Sequence, residues 1–224
     1  MRDRVAAAEE IPDAAAVVAT VAAAEAIPDV AAVVGMGAAA EERRDAAAVA
    51  GVDVSGQAET GSGKPAALAL PLLASLNPSD FGTQALILCP TRELASQVAS
   101  EIRRLARYQQ NIKVVTLCGG QSIGPQIGSL EHGAHVVVGT PGRIKDHLHK
   151  ETLSLERIST LVLDEADRML EMGFIDDIAT IIGKTPSSRQ TLLFSATFPD
   201  NIQLLSSRFQ SSPQRISVES LHDD

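Results

Sequence analysis

The chain has 224 residues, 45% of them hydrophobic and 21% charged, which fits one globular domain with an appendage and excludes a wholly disordered polymer. Nineteen Lys+Arg against 28 Asp+Glu leave a net charge of −9. That balance excludes a generally polybasic nucleic-acid binder, though not a local basic site.

The first 51 residues are an alanine-rich repeat. Val5–Val18 reads VAAAEEIPDAAAVV, Val21–Val34 reads VAAAEAIPDVAAVV, and Gly37–Ala50 reads GAAAEERRDAAAVA, each copy sixteen residues after the last. Twenty of the first fifty residues are alanine, and no aromatic residue precedes Phe81. Ile11-Pro12-Asp13 and Ile27-Pro28-Asp29 suit helix starts, with proline in the first turn and an acid near the positive end of the dipole. Alanine forms helix readily but buries little area. The segment therefore reads as a weakly packing helical arm. Its start is too acidic for a transit peptide and lacks the uninterrupted apolar core of a signal peptide. No uncharged run approaches the roughly 20 apolar residues of a membrane span. The chain reads as cytoplasmic, with no membrane partner.

From Val52 the texture changes, and a domain over 52–218 is expected, followed by a short acidic tail or linker start at 219–224. A strand is expected before Ala58, and a helix over 66–76. Between them lies Ala58-Glu59-Thr60-Gly61-Ser62-Gly63-Lys64-Pro65. Glycines there let backbone N–H groups turn toward phosphate oxygens, and Lys64 adds a mobile charge. The general phosphate-loop pattern wants Ser or Thr after the lysine, because the hydroxyl ligates Mg²⁺. Pro65 offers neither a hydroxyl nor an N–H, and it steers Lys64 away from helical geometry. Both nucleotide and Mg²⁺ binding are expected to be weakened.

Apolar runs then alternate with a helical pattern. Strands are expected at 85–89, 113–118, 135–139, 160–164 and 191–195, each a short apolar run of the kind buried on both faces of a parallel sheet. Over 92–107, Leu94, Val98, Ile102 and Leu105 fall on one helical stripe. The alternation predicts an α/β fold, a three-layer sandwich around a mostly parallel sheet. Cys89 and Cys118 close two of the strands; two cysteines make no disulfide framework and read as buried small hydrophobes.

Chemistry-bearing residues gather after these strands, where ligands of such sheets bind. Asp164-Glu165-Ala166-Asp167 follows the fourth, one hundred residues after Lys64. Carboxylates there can hold Mg²⁺ and activate water, although an acidic helix start is the plainer alternative. Pro90-Thr91-Arg92-Glu93-Leu94-Ala95, Gly119-Gly120, Thr140-Pro141-Gly142-Arg143 and Ser195-Ala196-Thr197 follow the others. Taken singly, Arg92 could simply open a helix and Gly142 could simply make a turn.

Together these motifs, in this order, resemble the first RecA-like domain of the DEAD-box ATP-dependent RNA helicases. The resemblance runs from Gln57 to about Val218, roughly 70% of the chain. The runs CPTRELASQVASEIRRLAR, TLCGGQ, VGTPGRIKDHL, LVLDEADRMLEMGF and RQTLLFSAT carry it, and they most resemble the bacterial subgroup called DEAD-box protein A, whose members act on ribosomal RNA. The resemblance implies an ATP hydrolase. Lys64 and Thr60–Gly63 would hold the β- and γ-phosphates, Asp164 would hold Mg²⁺ through water, and Glu165 would orient or deprotonate the attacking water. Asp167 with Ser195, Ala196 and Thr197 would couple nucleotide state to RNA grip. Pro90, Thr91, Arg92, Gly119, Gly120, Thr140, Pro141, Gly142 and Arg143 would line an RNA-backbone path read without base contacts.

The sequence departs from that family in three places. Pro65 is the first. The second is the adenine-reading glutamine, expected about 23 residues before the phosphate-loop lysine, where Glu41 stands instead. An ionised carboxylate accepts but cannot donate to adenine N7. The third is the end at Asp224, where the family begins its linker. The second RecA-like domain, with its arginines, is expected in cis or in trans, and unwinding by this chain alone is not expected. A catalytically impaired RNA- or protein-binding module is the alternative.

Overall fold

The structure, a computed structural model, describes residues 51–57, 69, 72–107 and 111–217. The repeat over 1–50 and the phosphate loop over 58–65 lie outside the described residues, as does the tail over 219–224.

The described strands are β1 (Val54–Gln57), β2 (Ala85–Leu88), β3 (Val114–Leu117), β4 (Val136–Gly139), β5 (Thr160–Leu163), β6 (Gln190–Ser195) and β7 (Gln214–Ser217); β2 to β6 are the five apolar runs, β1 is the strand expected before Ala58, and β7 is not among the expected strands. Every residue of β2, β4 and β5 is buried. Since successive side chains point to opposite faces, both faces of the sheet are covered. The strands form one seven-stranded sheet in the order β3-β4-β2-β5-β6-β1-β7. All pairings among the described strands are parallel. The fold is therefore α/β, around a parallel central sheet, as expected.

The helices fill the crossovers: α1 (Arg92–Ala106), α2 (Gly124–Leu130), α3 (Pro141–His149), α4 (Ala166–Glu171), α5 (Ile175–Ile182) and α6 (Asp200–Phe209). Residues 69 and 72–75 are also helical, within the helix expected over 66–76. In α1, Ala95, Val98, Ala99, Ile102 and Leu105 are buried at the i, i+3, i+4, i+7 spacing of a core-facing stripe. Thr91 caps it by accepting from the Leu94 N–H at 3.3 Å, and Glu93 and Arg103–Arg104 complement the dipole at the two ends. The core gathers Leu86, Leu88, Leu117, Val137, Leu161 and Leu163 from the sheet with Ile144, Met169, Ile178 and Ile202 from the helices.

At the opposite end of the sheet from the motifs, polar groups tie β1 into place. Asp53 is buried and accepts from the backbone N–H groups of Thr191 and Ser211. The Gln210 amide N–H donates to the carbonyls of Val54 and Thr191, both at 2.9 Å, and its oxygen accepts from the Ser55 and Ser206 hydroxyls at 2.7 Å. Gly56 lets the Phe194 ring lie across β1; a Cβ there would sit 2.7 Å from the ring. Cys89 and Cys118 are both free and buried, as the sequence suggests.

Candidate functional site at the carboxyl edge of the sheet

Parallel strands bring all their carboxyl ends to one edge. The sheet order then sorts the motifs. Gly119-Gly120 follows β3, Thr140–Arg143 follows β4 and Pro90–Arg92 follows β2, so these three loops are neighbours. Asp164–Asp167 follows β5, and Ser195 ends β6 just before Ala196 and Thr197. Residues 58–65 follow β1 in the sequence and, Lys64 and Pro65 among them, lie outside the described residues; β6 alone separates β1 from β5. At about 4.8 Å per strand, β1 and β5 are roughly 10 Å apart.

On the first side, Thr140 lies before α3, with Pro141 and Gly142 in its first turn. The Thr140 hydroxyl does not cap its own helix; it accepts from the Gly119 N–H at 3.4 Å. Arg143 is nearly buried, with 11% of its side chain exposed, and its Nε lies 3.5 Å from Asp146 Oδ2. Its Nη2 donates to the Gln121 carbonyl at 2.9 Å, while among the described residues Nε and Nη1 have no hydrogen-bond acceptor. Gly120 adopts φ +76°, open to glycine without strain, and faces Arg92, whose Nη1 is 3.9 Å from where a Cβ would lie. Arg92 is half exposed, its Nε 3.8 Å from Glu93. Burial pushes the Cys118 thiol up, and a hydrogen bond with Thr140 and the charges of Arg92 and Arg143 only partly offset it. Two guanidiniums therefore flank this loop. Arg92 also opens α1 and Gly142 also sits in a helical turn, as the plainer readings of both residues have it.

On the second side, the Asp164 N–H continues the β5 ladder by donating to the Leu88 carbonyl at 3.0 Å, and Asp164 Oδ1 accepts from the Glu165 N–H at 3.0 Å. Glu165 takes a left-handed backbone, φ 50° and ψ 54°, just before α4. For a residue with a Cβ this conformation costs about 1–2 kcal/mol. Its side chain is 16% exposed, and its Oε2 is 3.4 Å from Arg168 Nη1. Asp167 joins the third motif: its N–H donates to Ser195 Oγ at 3.3 Å, and its Oδ2 accepts from Thr197 N–H and hydroxyl. Gln57, the last residue of β1, donates to the Ala196 carbonyl at 3.3 Å. The Cys89 thiol is pushed well up, by burial first and then by the negative charge of Asp164, Cys118 and Glu165. That cysteine lies behind the acids.

Among the described residues no three acidic, histidine or cysteine side chains cluster as a metal cage. Asp164, at the end of its strand with Glu165 beside it, would suit a hydrated Mg²⁺, which needs only one or two protein carboxylates and would supply charge neutralisation for a phosphate. Sequence reasoning missed three groups that the structure places around the loops. They are Gln57, Gln126, which donates to the Cys118 carbonyl, and His147, which contacts Gln126. Each is a single polar residue at the end of a strand or within a helix, with no motif spacing to single it out.

The comparisons with known proteins agree with this arrangement. The family model described as DEAD/DEAH box helicase matches residues 42–205. ATP-dependent RNA helicase DbpA of Escherichia coli is 58% identical over 168 residues, covering 75% of this chain and 37% of that protein. ATP-dependent RNA helicase DeaD of Haemophilus influenzae is 51% identical over 167 residues, 27% of its own length. The chain thus spans well under half of the curated relatives it matches. The crystal structure of a DEAD box protein from Methanococcus jannaschii superimposes with a TM-score of 0.71 at 44% identity, covering 75% of this chain and 46% of that one. The chain belongs to the DEAD/DEAH box helicase family.

Proposed function

We propose that the chain is the amino-terminal, ATP-binding half of a DEAD-box RNA helicase, which couples ATP binding and hydrolysis to RNA-backbone binding and remodelling. One observation supports this reading: the loops after β3, β4 and β2 lie side by side, next to the loops after β5 and β6. In this reading Lys64 and the 60–63 loop hold the triphosphate, Asp164 holds hydrated Mg²⁺, and Glu165 orients water. Pro90, Thr91, Arg92, Gly119, Gly120, Thr140, Pro141, Gly142 and Arg143 line the RNA backbone. Asp167, Ser195, Ala196 and Thr197 couple the two sides. The arm is residues 1–51 and the ATP-binding domain 52–218. Unwinding requires a second RecA-like domain, in cis or in trans, whose arginines reach the γ-phosphate; an arginine finger is worth about 10³–10⁵ in rate. The RNA is ribosomal, as the resemblance to the DEAD-box protein A subgroup implies. The site of action is the cytoplasm; no helix among the described residues is long and apolar enough to cross a membrane.

Pro65 and Glu41 favour a second reading, a catalytically impaired module that holds RNA or a protein without turning over ATP. Titration calorimetry with ATP, with and without Mg²⁺, separates the two. The parent chain is expected to bind ATP weakly and with little Mg²⁺ dependence. Pro65→Thr restores the hydroxyl and is expected to bind at least about tenfold tighter in Mg²⁺. RNA-stimulated hydrolysis by Pro65→Thr mixed with a second helicase half supports the first reading. Silence in that mixture supports the module. A preference for DNA over RNA oligonucleotides across a salt series defeats both RNA readings.

A further inference from the structure

The Cys118–Gly119 peptide is gripped at both ends. Its carbonyl accepts from Gln126 Nε2 at 2.9 Å, and its N–H donates to Thr140 Oγ1 at 3.4 Å. Gln126 reaches it from α2 and is itself held. Its amide oxygen lies 3.3 Å from His147 Nε2 on α3, and His147 Nδ1 lies 2.8 Å from Thr152 Oγ1. The Thr152 N–H donates to the His147 carbonyl at 3.0 Å, which fixes the end of the chain of contacts. Gln126 is 7% exposed and His147 is fully buried.

The network allows one assignment of protons for a neutral ring. The Gln126 N–H is committed to the Cys118 carbonyl, so its oxygen accepts, and His147 Nε2 must carry the hydrogen. His147 Nδ1 then accepts from the Thr152 hydroxyl at 2.8 Å, which draws that single hydrogen away from the other acceptor within reach, the His147 carbonyl at 3.2 Å. These contacts fix ψ of Cys118 and φ of Gly119. The next residue, Gly120, sits at φ +76°, and the Gln121 carbonyl beyond it accepts from Arg143 Nη2 at 2.9 Å. Rotation of the first peptide would re-aim the Gly120 N–H and displace the acceptor that steadies Arg143.

We propose that Gln126 and His147 are positioning residues for backbone-phosphate recognition by the Gly119–Gly120 loop. They lock its first peptide, and through Gln121 the Arg143 guanidinium, without touching RNA themselves. The inference rests on the RNA-path reading of that loop. It adds the device by which two buried side chains on neighbouring helices hold backbone donors in a fixed direction, as preorganised recognition requires.

The test uses Gln126→Glu, close to the same shape but with no donor for the Cys118 carbonyl. Affinity for a fluorescent decauridylate is expected to fall roughly five- to tenfold, the effect of one unsatisfied buried acceptor. ATP affinity is expected to stay within about twofold, because the acid-side loops are untouched. In amide NMR spectra Gly119 and Gly120 are expected to shift while Thr197 stays in place. His147→Gln keeps a donor for Gln126 and is expected to keep RNA affinity near the parent value, whereas His147→Leu is expected to lose affinity. Parent-like RNA affinity in Gln126→Glu overturns the proposal, even if its melting temperature drops. So do unmoved Gly119 and Gly120 amides. A parent chain that fails to bind the oligonucleotide defeats the RNA reading instead, and the two amides still report on the positioning claim by themselves.

Discussion

Thr197 delivers both of its donors to a single oxygen of Asp167: its backbone N–H and its hydroxyl each lie 3.0 Å from Oδ2. Asp167 returns a backbone N–H to Ser195 at 3.3 Å. The start of α4 and the turn after β6 are thus stapled together, and any shift of one acid-bearing loop must carry the other with it. Asp167→Ala removes the shared acceptor. Because Thr197 is exposed, the loss of stability is expected to be only about 1 kcal/mol. Hydrogen exchange at the Thr197 amide is expected to quicken at least about tenfold, since its acceptor is gone.

Gly139 leaves no room for a methyl group. A Cβ there would lie 2.2 Å from the Leu117 carbonyl oxygen and 2.9 Å from Ile144 Cδ1. The carbonyl belongs to the neighbouring strand and cannot swing away. Gly139→Ala is expected to lower unfolding free energy by about 2–3 kcal/mol, measured by urea denaturation. The damage lies between β3 and β4, directly beneath the Gly119 and Thr140 loops.

Asp53 holds β1 to its neighbours through two backbone N–H groups, from Thr191 and Ser211. Its own carbonyl accepts from Gln214 at 2.8 Å. Asp53→Ala strands both donors and is expected to cost about 3 kcal/mol. Asp53→Asn keeps one acceptor and is expected to cost about half as much. Thermal unfolding of the two variants beside the parent checks the order.

Burial lowers the pKa of His147 from its ordinary 6.5, and Arg143 adds to the effect. Lys150 acts in the same direction, and Asp146 opposes it. The unfolded chain therefore binds a proton here more readily than the folded one. The sign follows: this contribution is complete above about pH 6.5 and is lost as pH falls through the folded-state value. Urea midpoints of the parent are expected to drop between pH 7.5 and pH 5.5 by more than those of His147→Gln. Equal drops would place the pH dependence in other groups.

Most of the sheet is legible in the residues themselves. Val136–Gly139 and Thr160–Leu163 are short apolar runs with no helical spacing, and they become central strands within a residue or two of expectation. β7 is not legible, because Gln214-Arg215-Ile216-Ser217 looks like a polar loop; it lies at an edge, where one side needs no partner. α2 carries Gly124, Pro125 and Gly128, residues that argue against helix, and tertiary packing overrides them. The clustering of motifs follows from one rule, that parallel strands share a carboxyl edge. Which motif neighbours which does not follow from it, because the order β3-β4-β2-β5-β6-β1-β7 depends on crossovers that leave no local trace. The Asp167–Thr197 contact spans thirty residues of sequence and was foreseeable only through the family resemblance. Gln126 and His147 carry no motif, and their role emerges only from three-dimensional contact.

The sheet order also governs the timetable of synthesis. β1 leaves the ribosome first, yet its partners are β6 and β7: Val54 pairs beside Leu192 and Gln214. At about 5–20 residues per second, the 138 residues from Val54 to Leu192 take roughly 7–28 s to make. Throughout that interval β1 has no neighbour to bond, while β2, β3 and β4 can already zip together. Among the described strands, β1 is the earliest part of the sheet to exist and among the last to be secured.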